Sequence, residues 1–84
     1  MSETKVSKEE ILEIIVRHTR EVVPELEAHE FRPDDSLKAL GANSVDRADI
    51  IMMTLESLVL NIPLVAMAKA ENISELAEII HAKS

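Results

Sequence analysis

The chain has 84 residues, no cysteine and one aromatic residue, and its 16 acidic and 9 basic side chains give a formal net charge of −7. This length allows one small domain without a large catalytic cleft, and the lack of cysteine excludes disulfides and thiolate metal sites. The negative charge disfavours nucleic acid and membrane partners and favours basic protein surfaces. We therefore predict a single domain over residues 1–84 with an aliphatic core.

The first predicted element is a helix over Lys8–Val22. Ser7 and Glu10 have the spacing of a capping box, and Pro24 disfavours helical backbone at the residue before it. Residues spaced by three and four form the predicted buried face: Ile11, Ile14, Ile15, His18 and Val22. We interpret His18 as a residue of this face, and because the three histidines share no metal-ligand spacing, we assign no metal site.

A long loop is predicted over residues 24–43, which contain two prolines, the only glycine and no sustained helical period. Its expected anchors are apolar: Leu26, Phe31, Leu37 and Leu40. A second helix then begins at an N-cap, Asn43 or Ser44, and continues to about Asn61.

The second helix carries two adjacent apolar stripes, which together span roughly 200° of its circumference, where a surface helix needs little more than about 100°. The first stripe contains Ile50, Ile51, Thr54, Leu58 and Ile62, and we expect it to face the core. The second contains Val45, Ala48, Met52, Leu55 and Val59. The second stripe is either covered by a short third helix or available to a partner.

The remaining elements complete an all-α fold. Residues 64–70 read as a short third helix after Pro63, and Ser74 is the expected cap of a last helix. The last helix has an apolar side made of Ile73, Leu76, Ala77 and Ile80. The N-terminus has no apolar targeting segment, and the longest apolar stretch, residues 58–68, is too short to span a bilayer. We therefore expect a cytoplasmic protein.

Few residues suggest chemistry, since the chain contains no glycine-rich phosphate loop, cysteine nucleophile or histidine pair at metal spacing. Ser44 alone combines a hydroxyl, a flexible approach and a helix N-terminus. A phosphodiester on this serine would meet free backbone amides and the positive end of the helix dipole, and Gly41 would let the loop bend into the helix. The same residues also fit a plain N-cap, so the pattern alone leaves both interpretations open.

Residues 40–46, Leu-Gly-Ala-Asn-Ser-Val-Asp, resemble the attachment motif of the acyl carrier protein family, with Asn43 in place of the usual aspartate. Ile62 and Pro63 match the isoleucine and proline that follow the family's second helix, and the resemblance covers essentially the whole chain. It implies a four-helix bundle with a long first loop and a short third helix. It also implies that Ser44 carries 4′-phosphopantetheine, donated by coenzyme A, and that acyl groups are held as thioesters on the imported thiol.

A second serine has a similar local sequence. Asp35-Ser36-Leu37 contains the family's tripeptide, but it lacks the preceding Leu-Gly and the long helical period that follows Ser44. We interpret Ser36 as a cap or turn residue that uses the pair Asp34 and Asp35.

The resemblance further implies that partners contact residues close to the modified serine. Carried over by position, these partner-recognition residues are Asn43, Val45, Asp46, Arg47, Asp49, Met52, Leu55 and Glu56. Their carboxylates would meet basic residues, and their apolar side chains would fill a shallow contact. On this interpretation, Met52→Glu or Leu55→Glu weakens partner binding and leaves the fold intact.

Residues 43–53 and 60–63, with the apolar run 64–68, most resemble the freestanding donor carriers of polyketide β-branching cassettes. This resemblance implies an acetyl cargo, in some carriers a propionyl one, delivered to an enzyme similar to 3-hydroxy-3-methylglutaryl (HMG) synthase. Arg47 and the apolar run would be the distinguishing contacts. The other implied partners are a phosphopantetheinyl transferase and the acyltransferase or ketosynthase/decarboxylase that loads the acyl group, and the carrier itself would be a non-catalytic monomer.

Three other functions stay open. A general polyketide, fatty acid or peptidyl carrier would share Ser44 and its arm but hold another cargo. A non-carrier helical interaction module would use the two stripes of the second helix, with Ser44 acting only as a cap. A DNA-binding helical domain is opposed by the negative charge.

Overall fold

A computed structural model describes residues 7–83, so the prediction about a targeting segment at the N-terminus falls outside the described part of the chain. Three α-helices, α1 (Lys8–Val22), α2 (Ser44–Leu58) and α3 (Ile73–Ala82), are joined by segments that contain two 3-10 turns, Pro24–Leu26 and Leu64–Met67. Within residues 7–83 there is no strand, and the predicted short third helix is the Leu64–Met67 turn. No helix in this range has both the length and the apolar character needed to cross a membrane.

Helix α1 begins and ends at the predicted residues. The Ser7 hydroxyl accepts a hydrogen bond from the Glu10 amide (3.2 Å), and the Glu10 carboxylate accepts one from the Ser7 amide (3.0 Å), so both halves of the capping box form. The buried face differs in part from the prediction, because Ile14 and Val22 are half-buried and Thr19 is fully buried. Thr19 can be buried because its hydroxyl donates to the Ile15 carbonyl (2.7 Å).

Polar and aromatic contacts hold the loop that follows α1. The Asp35 carboxylate accepts a hydrogen bond from the Arg32 amide (2.8 Å) and contacts His29 Nε2 (3.0 Å). These two contacts hold the pKa of Asp35 below its ordinary value, the Arg32 amide having the larger effect. Phe31 packs edge-to-face against His29, with ring centroids 4.7 Å apart, and the Arg20 guanidinium lies 5.2 Å from the Phe31 centroid.

The same loop also fixes the start of α3. The Ile73 amide donates to the Asp35 carbonyl and the Ser74 amide to the Pro33 carbonyl, both at 2.9 Å. Of the four predicted apolar anchors, Leu26 and Leu37 are buried. The other two, Phe31 and Leu40, are half-buried. The loop therefore positions both the entrance to α2 and the first turn of α3.

Helix α2 ends at Leu58, before the predicted end at Asn61. Val59 adopts a left-handed conformation (φ 57°, ψ 47°), its amide donates to the Glu56 carbonyl (3.1 Å), and the Leu60 amide reaches back to the Leu55 carbonyl (2.9 Å). This pair of bonds is a Schellman motif, which satisfies the last carbonyls of a helix and stops it. Because the motif usually has glycine at the left-handed position, the earlier end of α2 could not be predicted from a valine there.

The cap of α3 is Asn72, so the prediction of Ser74 is wrong. Asn72 has extended backbone, and its side-chain oxygen accepts a hydrogen bond from the Glu75 amide (2.7 Å). The Glu75 carboxylate accepts a second bond from the Glu71 amide (2.8 Å). Ser74 therefore lies inside the first turn, and the predicted apolar side of the helix is buried as expected: Ile73, Leu76, Ala77 and Ile80.

The core is a single aliphatic cluster at the junction of the three helices. Helix α1 packs against both α2 and α3, and the Leu64–Met67 turn contacts α2 and α3. Each helix contributes completely buried isoleucines. They are Ile11 and Ile15 from α1, Ile50 from α2, and Ile73 and Ile80 from α3. This packing leaves the N-terminus of α2 and the Leu64–Met67 turn side by side at one edge of the molecule.

Candidate functional site

A tight turn leads into the first residue of α2. The Ser36 hydroxyl accepts a hydrogen bond from the Ala39 amide (3.2 Å), and the Leu40 amide donates to the Ser36 carbonyl (3.0 Å). Gly41 then takes a positive φ of 107°, which side chains other than glycine rarely adopt, and the Ala42 amide returns to the Leu37 carbonyl (3.0 Å). The reversal at Gly41 directs the chain into α2, as the sequence predicts.

The N-terminus of α2 presents Ser44 to solvent. Asn43, with extended backbone, is the N-cap, and its side-chain oxygen accepts a hydrogen bond from the Asp46 amide (2.8 Å). Ser44 is exposed, and no hydrogen bond within residues 7–83 engages its hydroxyl. Because Asn43 takes the third amide of the helix, the amides of Ser44 and Val45 stay available to an anion at the positive end of the helix dipole.

An open groove of about 690 Å³ adjoins Ser44. Residues of α2, the Leu64–Met67 turn and the first turn of α3 form its walls, including Ile51, Leu64 and Leu76, and Lys38 and Arg47 contribute cationic side chains. The Arg47 guanidinium donates to the Ala42 carbonyl (2.8 Å). Arg47 is therefore half-buried and tied to the loop before Ser44, and its role as a partner contact stays a prediction.

The second apolar stripe of α2 is exposed over most of its length. Val45 is 67% exposed, Met52 49% and Val59 89%, and Ala48 is half-buried beside the groove. Two acidic residues of the predicted recognition set, Asp49 and Glu56, are also exposed on this helix, while Asp46 is half-buried. The exposed surface therefore alternates apolar and negatively charged side chains.

Leu55 corrects the prediction for this stripe. Its side chain is only 6% exposed and belongs to the aliphatic core, so it cannot form a surface contact with a partner. Its carbonyl also accepts the hydrogen bond from Leu60 that ends α2. The expectation that Leu55→Glu leaves the fold intact is therefore wrong, because a carboxylate at this position would be buried among aliphatic side chains.

Other candidate groups have structural roles in the described part of the chain. Ser36 caps its own turn and is half-buried, although it uses the Ala39 amide and not the aspartates before it. His18 joins α1 to α2 through its Nε2, 2.9 Å from the Ser57 hydroxyl, and its Nδ1 lies 3.0 Å from the Glu21 carboxylate. Ser57 lies inside α2, where the backbone amides are already hydrogen-bonded within the helix. They therefore cannot form an oxyanion hole for a nucleophile at Ser57. Within residues 7–83, no cluster of histidine and acidic residues could hold a metal ion.

Comparison with known proteins agrees with this geometry. Residues 9–80 match the family described as the phosphopantetheine attachment site. The chain is also 47% identical over 78 residues to the polyketide biosynthesis acyl-carrier-protein AcpK of Bacillus subtilis (strain 168), covering 93% of this chain and 95% of that protein. The chain belongs to the acyl carrier protein family. The cofactor of this carrier is therefore 4′-phosphopantetheine, as the attachment motif predicts.

A solved complex gives a closer structural parallel. One of its chains matches 93% of the carrier with a TM-score of 0.89 and 55% sequence identity, and the match covers 100% of that chain. The complex is described as the curacin biosynthetic pathway HMG synthase with acetyl donor-ACP. The match spans the whole of that chain and nearly all of the carrier, so the matched chain corresponds to the donor ACP of the complex. The fold of the carrier is thus that of an acyl carrier protein.

One exposed apolar residue, Val59 at the end of α2, is absent from the predicted recognition residues. Leu64 and Val65, on the turn beside the groove, are also exposed, and they belong to the apolar run that the sequence analysis expects to contact a partner. The seven-residue spacing of Val45, Met52 and Val59 is a signal in the sequence that could have added Val59 to the set. The sequence indicates the apolar character of residues 64–68, but only the fold places this segment next to Ser44.

Proposed function

We propose that Ser44 is the residue that carries the phosphopantetheine arm. The support is local: an exposed hydroxyl, two available amides at a helix N-terminus and a glycine turn that leads into them. The arm's phosphodiester would form on the Ser44 oxygen while coenzyme A loses 3′,5′-adenosine diphosphate as the leaving group. Residues 1–84 would then act as one carrier domain, and the phosphopantetheinyl transferase is its first partner.

The acyl group carried on the arm is, in this proposal, an acetyl group destined for an HMG-synthase-like enzyme. The observation that carries the assignment is the 55% identity to the chain that corresponds to an acetyl donor-ACP in a complex with such a synthase. The synthase takes the acetyl group from the thioester and joins it to a β-ketoacyl chain on another carrier. The product carries a branch at its β-carbon, so the pathway is β-branching in polyketide biosynthesis.

The carrier contributes position and recognition and performs no catalysis of its own. Exposed Val45 and Met52 offer apolar contacts, and Asp49 and Glu56 offer charge to basic residues of the synthase. An acyltransferase or a ketosynthase/decarboxylase loads the acetyl group. We propose that this exchange takes place in the cytoplasm, where coenzyme A is available, with the carrier as a monomer.

An acyl-transfer assay tests this function directly. The carrier, loaded with an acetyl-phosphopantetheine arm, is mixed with the HMG-synthase-like enzyme and an acceptor carrier that holds a β-ketoacyl chain. We expect a branched product on the acceptor and loss of the acetyl group from the donor, both measured by intact mass. Ser44→Ala, which cannot be loaded, is the matched negative control.

Two results of this assay would contradict the donor assignment. Equal or better turnover when the arm carries malonyl or an aminoacyl group would favour a general polyketide or peptidyl carrier. Failure of the acetyl-loaded carrier to react, while an established donor carrier reacts with the same enzyme, would exclude the donor role without affecting arm attachment.

A further inference from the structure

Val59 adds backbone strain to the isolated carrier without adding core packing. Its backbone lies in the left-handed region (φ 57°, ψ 47°), where a β-branched side chain is sterically unfavourable. Its side chain is 89% exposed, so it contributes almost nothing to the core. Glycine is the residue that usually occupies this position of a Schellman motif, and it would fit here without the steric cost. Folding alone therefore gives no reason for valine.

The position of Val59 suggests what valine is for. It lies seven residues after Met52 and fourteen after Val45, so the Cα atoms of the three residues follow one line along α2 with a drift of about 20° per seven residues. The line is about 21 Å long, at 1.5 Å per residue. Asp49 and Glu56 are spaced between the three apolar residues, and all five side chains are exposed.

We propose that Val59 is the distal anchor of the surface that docks on the HMG-synthase-like enzyme, an inference that rests on the proposed function. The matching enzyme surface is basic, to pair with Asp49 and Glu56, and has apolar recesses for Val45 at one end and Val59 at the other. Contacts at both ends fix the axis of α2 on the enzyme. They thereby fix the direction in which Ser44, at the proximal end, sends its arm.

The hydrogen bonds that end α2 serve this contact because they hold the backbone of Val59 in one position. The Val59 and Leu60 amides are bonded to carbonyls in the last turn of α2, so the residue cannot swing freely after the helix ends. A rigid apolar residue loses little conformational entropy when it binds. The valine therefore costs the carrier stability and supplies the enzyme with a fixed apolar contact.

Three substitutions separate the stability and docking effects. Val59→Gly relieves the backbone and removes the side chain, so we expect Tm to rise by roughly 4 °C and the KM for the synthase to rise about tenfold. Val59→Thr keeps the branched shape and the strain but replaces a methyl with a hydroxyl, so KM rises without a rise in Tm. Glu13→Gln, an exposed side chain on α1 outside this surface, is the control, with Tm and KM close to wild type.

The measurements are thermal unfolding by circular dichroism and acetyl-transfer kinetics with each variant fully loaded, as verified by intact mass. If both Val59→Gly and Val59→Thr have the wild-type KM, Val59 is not a docking residue and the inference is overturned. If Val59→Gly alone raises KM, backbone rigidity and not the side chain is responsible, which also overturns it. A wild-type carrier that fails with the synthase would instead contradict the proposed function itself.

Discussion

Helices α1 and α2 have the same length, 15 residues each, but they satisfy the rules of helix formation to different degrees. Helix α1 has a complete capping box, ends ahead of a proline and buries a single face. Helix α2 has an N-cap without the reciprocal bond, is followed by a strained valine and leaves two large apolar side chains, Val45 and Met52, exposed. Both helices pack in the same core, so the differences lie on the solvent side and at the ends of α2.

Under the proposed function, these differences distinguish a helix that only supports the fold from one that also contacts partners. In α1, the cap and the helix end agree with the local sequence, which is the usual condition of a stabilising element. In α2, each departure leaves something available: a serine hydroxyl, two helix amides or an apolar side chain. We infer that stability was given up in α2 where the carrier meets its modifying enzyme and its acyl-group acceptor.

The largest expected effect distinguishes the inner and outer sides of α2. Leu55→Glu places a carboxylate in the aliphatic core and should reduce the free energy of unfolding by about 3 kcal/mol or more. Met52→Glu changes a half-exposed side chain and should shift stability by about 0.5 kcal/mol or less. Thermal unfolding by circular dichroism measures both. Equal melting temperatures for the two variants would show that the two sides of α2 are not distinct.

The N-caps give a smaller effect that compares the two helices directly. Asn43→Ala removes the hydrogen bond to the Asp46 amide and should cost about 1 kcal/mol, and Ser7→Ala should cost a similar amount at α1. Asn43→Asp, which restores the family's usual aspartate, keeps the acceptor and should preserve stability. Urea unfolding measures all three variants, and an undiminished stability of Asn43→Ala would contradict the role of Asn43 as the cap.

The acidic side chains of α2 should affect docking more than folding. Asp49→Asn removes one exposed charge and should raise the KM for the synthase about two- to threefold at low salt, with a smaller effect at high salt because ions screen the attraction. Glu13→Gln, an exposed charge on α1, is the matched control and should leave KM unchanged. If both variants shift KM equally, the synthase responds to net charge and not to the α2 surface.

The smallest expected effect concerns the loop between the helices. Because the pKa of Asp35 is lowered in the folded state, its carboxylate stabilises the fold above about pH 4, and this contribution is lost as the pH falls through the folded-state pKa. Asp35→Ala should therefore be less stable than wild type at pH 7, and the difference should shrink at pH 3. Asp35→Asn, which keeps the size of the side chain but cannot ionise, is the matched variant and should lose the same dependence on pH. Urea unfolding at the two pH values tests the pair.

The sequence predicts α1 and the buried side of α3 well because both depend on spacing and local capping. The prediction fails at the start of α3, because Asn72 and Ser74 are both good N-cap residues and the sequence does not decide between them. It also fails at the end of α2, because valine and not glycine occupies the left-handed position at Val59. The burial of Leu55 could not be predicted from the helix alone, since two adjacent apolar stripes look alike until the rest of the chain covers one of them. Local sequence singles out Ser44 as a hydroxyl at a helix N-terminus, but only the family motif distinguishes an attachment site from an ordinary cap.

The most direct test of the account is the intact mass of three carriers after treatment with a phosphopantetheinyl transferase and coenzyme A. Ser44 has an unengaged, exposed hydroxyl, whereas the Ser36 hydroxyl is half-buried and bonded to the Ala39 amide. We predict that the wild type and Ser36→Ala each gain one phosphopantetheine group and that Ser44→Ala gains none. Modification of Ser44→Ala, or its loss in Ser36→Ala, would contradict the assignment of Ser44.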